Sequence, residues 1–70
     1  MKLSYKKLWK LLIDKNLKKQ DLAKMADISN TSIAKLGHDK SINTSILIRI
    51  CSALECDITD ILELVKEENN

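Results

Sequence analysis

Few side chains in this 70-residue chain could make or break bonds, and their spacing argues against it. Cys51 and Cys56 could close at most one loop, which is no disulfide framework. A zinc centre takes about four ligands, and His38 is the only other strong candidate beside the two thiols. Both cysteines are therefore expected to be reduced core residues, with no metal and no other cofactor. His38 follows a helix end and reads as a solvated loop histidine. Asp57 and Asp60 stand at i, i+3 at a helix start, the pattern of capping and dipole complementarity rather than of a catalytic acid and base. No serine, cysteine or lysine sits in a nucleophile context, and the one glycine, Gly37, cannot build a phosphate-cradling loop. Neither an enzyme nor a small-molecule substrate is expected.

What remains is charge and hydrogen-bonding capacity. Residues 1–40 carry ten lysines against Asp14, Asp21, Asp27 and Asp39, a surplus of +6. Residues 41–70 carry Arg49 and Lys66 against six acids, a balance of −4, which leaves the whole chain at +2. That polarity suggests a basic face for a polyanion and an acidic face turned from it, although lysines also keep a small domain in solution. Single strands are poor candidates because stacking needs aromatic platforms, and Tyr5 and Trp9 are the only aromatics. Both lie on the apolar stripe of a helix and are expected in the core, the Tyr5 hydroxyl reaching solvent.

The elements that must position these groups are helical. The chain has no proline and one glycine, and 70 residues make one domain, expected over 1–70 with a frayed tail at 66–70. Tyr5, Leu8, Trp9, Leu12 and Ile13 recur at helical spacing and predict a first helix over Tyr5 to Lys15, capped by Ser4 and ended by Asn16. A second is predicted over Lys19 to Ala26. A third runs from Asn30 to Leu36, with Ser29 as N-cap and Gly37 as C-terminal cap. Asn43 opens a fourth helix bearing Leu47, Ile50, Cys51 and Leu54. A fifth starts at Asp57 and carries Ile58, Ile61, Leu62 and Val65. The expected fold class is all-α, with five helices. No apolar run approaches the roughly 18 residues of a membrane span, and lysines interrupt the N-terminus where a signal peptide would be apolar. A cytoplasmic location without membrane association is expected.

The informative stretch is Lys19-Gln20-Asp21-Leu22-Ala23-Lys24-Met25-Ala26-Asp27-Ile28-Ser29-Asn30-Thr31-Ser32-Ile33-Ala34-Lys35-Leu36. Two short helices that cross steeply need apolar residues at the crossing, and Leu22, Ala26, Ile28, Ile33 and Leu36 are placed for it. They need a small residue where they touch, supplied by Ala23. The turn between them needs a residue that tolerates positive φ, and Asp27 can adopt that conformation at modest cost.

These residues resemble the Cro/phage-repressor type of helix-turn-helix, the XRE family, over roughly residues 5 to 65. Asp27 departs from the usual glycine, and Gly37-His38-Asp39 stands where Glu-Asn-Gly is common. The ending Lys35-Leu36-Gly37 looks like a compact, stand-alone branch. The resemblance implies a lambda-repressor-like domain with its motif at about 19–38, formed by helices 2 and 3. It further implies sequence-specific reading of duplex DNA in the major groove by helix 3, as a transcription regulator and repressor. The base-reading residues would be Asn30, Thr31, Ser32 and Lys35: Asn can pair with adenine, Lys can donate to guanine, and Thr can offer a methyl to thymine.

Lys18, Lys19 and Gln20 would meet a backbone phosphate at the start of helix 2, where free amides also point. Without a phosphate, the two lysines would face an unfavourable helix dipole of roughly 0.3–1 kcal/mol each. Lys40, Asn43 and Thr44 are further phosphate candidates. Leu3, Leu11, Ile42, Ile48 and Leu64 look surplus to one small core, so a homodimer is expected, with the acidic fifth helix as its interface. The same surplus allows a second reading, a protein-interaction module on this fold, such as an antitoxin or anti-repressor partner.

Overall fold

The computed structural model describes residues 1–67. Its order is β1 (Lys2–Ser4), α1 (Lys6–Asp14), α2 (Lys19–Ala26), α3 (Asn30–Gly37), α4 (Thr44–Leu54), a single 3-10 turn (Ile58–Asp60) and β2 (Glu63–Val65). The part of the expected tail at 68–70 lies outside the described residues. None of the described helices is long and apolar enough to cross a membrane.

The apolar stripes converge on one cluster: Tyr5, Leu8 and Leu12 from the first helical segment, Leu22 and Ala26 from α2, and Leu36 from α3. Leu47, Ile50 and Leu54 of α4 and Ile61 beyond the 3-10 turn complete it. Ile28 and Ile33 are partly buried against this core, on either side of the turn that joins α2 to α3. Ile13, placed on the α1 stripe by its spacing, is 75% exposed, and the buried stripe closes at Leu12, two residues before the helix ends.

Among the described residues four hold the left-handed conformation, Asn16, Asp27, Asp39 and Glu55, and each follows one of the four described α-helices. Asn16 and Asp27 do what their types suggested. Gly37 does not. It lies within α3 and has no positive φ; the chain turns two residues later, at Asp39 with φ 54°. There the Lys40 N–H donates to the Lys35 carbonyl at 3.0 Å, a bond that closes a helix end around a left-handed residue.

The expected fifth helix is absent from the described residues, and with it the all-α class. Only the 3-10 turn forms, although its cap is as the residues promised: the Asp57 N–H donates to Asp60 Oδ2 at 3.0 Å. Beyond Ile61 the chain straightens and pairs antiparallel with β1, Lys2 opposite Val65, Leu3 opposite Leu64 and Ser4 opposite Glu63. Pairing satisfies backbone groups of both chain ends at once, an option that helical periodicity within 57–65 cannot register. Lys7 fastens the strand to α1, its Nζ lying 3.9 Å from Glu63 and 3.3 Å from the Thr59 carbonyl it donates to. Ser4 consequently ends β1 and Tyr5 becomes the N-cap of α1, while the Ser4 hydroxyl still accepts from the Lys6 N–H at 3.3 Å.

Candidate nucleic-acid interface

The turn between α2 and α3 begins at Asp27, with φ 54° and ψ 52°. The Ile28 N–H closes back on the Ala23 carbonyl at 3.0 Å. From α4, the Arg49 guanidinium donates to the Asp27 carbonyl at 3.2 Å, tying the turn to the next helix. Ser29 then caps α3, its hydroxyl accepting from the Ser32 N–H at 3.2 Å. The cap thus satisfies one of the backbone amides that the start of α3 leaves without a helical partner.

Asn30, Thr31 and Lys35 are exposed on α3. Ser32 does not join them. It is 8% exposed, and its hydroxyl lies 3.2 Å from that of Ser29. One helical turn separates it from the buried Leu36, so it occupies the inward face and has little to offer a base. Ala34 is exposed instead, on the helix surface between Asn30 and Thr31, with a methyl of the kind that packs on a thymine methyl. The i, i+4 spacing from Asn30 could have pointed to Ala34; its chemistry alone did not.

At the start of α2, Lys18, Lys19 and Gln20 are exposed. The Lys18 N–H donates to Asp21 Oδ2 at 2.8 Å, so one end amide is already held within the helix. The Lys19 ammonium lies 4.5 Å from the centre of the Trp9 ring. A Cβ placed on Gly37 would stand 3.8 Å from that same ammonium. Lys19 therefore bridges α1 and the far end of α3, and its cation rests over an aromatic face, an attraction worth about 0.5–1 kcal/mol at an exposed site. The sequence placed Trp9 in the core; half-buried, it also serves as a seat for this lysine.

Lys40, Asn43 and Thr44 are exposed in the loop after α3 and at the start of α4. Asn43 Oδ1 accepts from both the N–H and the hydroxyl of Ser45 at 2.9 Å, leaving the amide NH2 as its free donor. Tyr5 shapes this loop from beneath. Its N–H donates to Asp39 Oδ1 at 3.1 Å, and its hydroxyl donates to the Lys40 carbonyl at 2.9 Å. The phenol expected at solvent is 1% exposed. Burial, and then the Asp39 carboxylate, push its pKa above the ordinary tyrosine value.

Two short helices joined through a left-handed residue, a hydroxyl-capped second helix and an exposed polar edge on it define a helix-turn-helix domain. The Cro/C1-type HTH DNA-binding domain family matches residues 7–67, and the chain belongs to that family. The crystal structure of transcriptional regulator VanUg is similar to it, with 42% sequence identity and a TM-score of 0.90 over 94% of this chain and 88% of that one. No curated protein matches. The family and this similarity make the chain a DNA-binding transcription regulator of the helix-turn-helix type.

Proposed function

We propose that the chain represses transcription as a cytoplasmic homodimer that reads duplex DNA in the major groove through α3. The observation that carries this reading is the exposed set Asn30, Thr31, Ala34 and Lys35 on a helix held by the Ser29 cap. Asn30 suits a bidentate pair with adenine, Lys35 suits guanine acceptors, and the Thr31 and Ala34 methyls suit thymine. Lys18, Lys19 and Gln20 would contact one phosphate, and Lys40, Asn43 and Thr44 another, fixing register without reading sequence. Two copies related by a two-fold axis would place their α3 helices about 34–36 Å apart, on successive major grooves.

Selection of bound duplexes from a random pool tests the reading. A palindromic site with half-sites one helical turn apart is the expected result, with a log–log salt slope near −0.9 per phosphate contacted. Recovery of no preferred duplex would overturn it and leave the protein-interaction reading in its place.

A further inference from the structure

A groove opens between the C-terminal half of α4 and the 3-10 turn, with a volume of about 700 Å³. Leu47 and Cys51 line it, and Ile48 and Ile58 stand in its walls at 64% and 41% exposure. Apolar side chains of that size, grouped and left in water, mark a surface that a partner covers. The groove's charge is of one sign: Glu55, Asp57 and Asp60 line it, and no lysine or arginine does. Glu55 also sits at the C-terminal end of α4, where the helix's own carbonyl dipoles add to the negative potential.

That charge selects among occupants. A second copy docking by the same groove would set three carboxylates against three, and nucleic acid or an anionic bilayer would be repelled. A helix with an apolar stripe and basic flanks meets both requirements. We propose that this groove docks a cationic amphipathic helix of a partner protein, its apolar stripe on Ile48, Ile58 and Leu47, its lysines or arginines against Glu55, Asp57 and Asp60. None of these residues is among the base-reading or phosphate-contacting residues proposed above, those of α4 lying at its start, in Asn43 and Thr44.

The test uses the full chain, 15N-labelled, and a helical peptide of about 18 residues with leucines at i, i+3, i+4 and i+7 and lysines elsewhere. Expected are amide shifts confined to residues 47–60, and affinity that falls with salt. The double variant Ile48→Ser, Ile58→Ser should bind about tenfold more weakly, and Glu55→Gln should flatten the salt dependence. Both isoleucines are exposed, so the variant keeps the fold, which its circular-dichroism melt checks. Its selected duplex should be unchanged, which separates this site from the DNA reading. Equal binding of the peptide with glutamates for lysines would overturn the proposal. So would shifts spread over other faces, no effect of the double variant, or self-association of the chain that the double variant abolishes.

Discussion

The Tyr5 hydroxyl donates to the Lys40 carbonyl at 2.9 Å, joining the residue that starts α1 to the loop that leaves α3. The Tyr5 N–H holds Asp39 in the same loop, so one residue fixes the left-handed turn from both its side chain and its backbone. Tyr5→Phe keeps the buried ring and removes only the O–H donor. Losing that bond under a nearly sealed ring should cost about 1–2 kcal/mol, measured as a lower urea midpoint. Faster amide exchange in residues 38–43 should accompany it, because the loop loses its anchor.

Base reading and phosphate contact separate by substitution. Asn30→Ala and Lys35→Ala should each relax preference at one base position at a cost of about 1–3 kcal/mol, read by competition among variant duplexes. Lys19→Ala should weaken all duplexes alike and lower the salt slope by about one. Ser32→Ala should leave the preference intact and act on stability instead, because the hydroxyl lies against Ser29 and inside the domain.

Gly37 is a glycine where the backbone asks for none. It sits within α3 without positive φ, and an added Cβ would meet only the Lys19 ammonium, at an ordinary contact distance of 3.8 Å. Gly37→Ala should therefore stabilise the domain by about 0.5–1 kcal/mol, seen as a higher melting temperature. A loss of stability would show that the space over Gly37 is needed by Lys19 and Trp9.

Asp27 is the converse. Its left-handed backbone is strained for a side chain, and its carboxylate makes no hydrogen bond within the described residues; the Arg49 contact goes to its carbonyl. Asp27→Gly should preserve that contact and raise stability by up to about 1 kcal/mol. The same change at Asp39 should destabilise, because Tyr5 needs that carboxylate.

Alkali should lower the stability of the domain in part through Cys56. Burial, with Cys51 alongside, pushes its thiol from 9.0 to about 11. Between those values the unfolded thiol ionises while the folded one keeps its proton. Its stabilising contribution is thus complete below pH 9 and lost as pH rises toward 11. Urea midpoints between pH 8 and 11 should fall less steeply for Cys56→Ala than for the parent chain.

The limits of α2, the Ser29 and Asn43 caps and the left-handed Asp27 were legible from residue types, because each depends on a few neighbours in the chain. The resemblance, rather than any residue pattern, pointed to Asn30, Thr31 and Lys35, and all three are exposed on α3. Ser32, which the resemblance groups with them, stands four residues before Leu36 on the inward face, because the helix buries one side whatever its order from the N-terminus.

Local residue patterns specify the four described α-helices and the helix-turn-helix, since apolar spacing and capping act over three or four residues. Tertiary packing decided what β1 and β2 do. Residues 63–65 become a strand because Lys2–Ser4 lie alongside with backbone groups to pair. It also decided that the Tyr5 hydroxyl turns inward to Lys40, that Lys19 rests on Trp9, and that Arg49 reaches the Asp27 carbonyl. Each of these joins residues from different elements, and such contacts are set by how the elements pack, which no local pattern of residue types encodes.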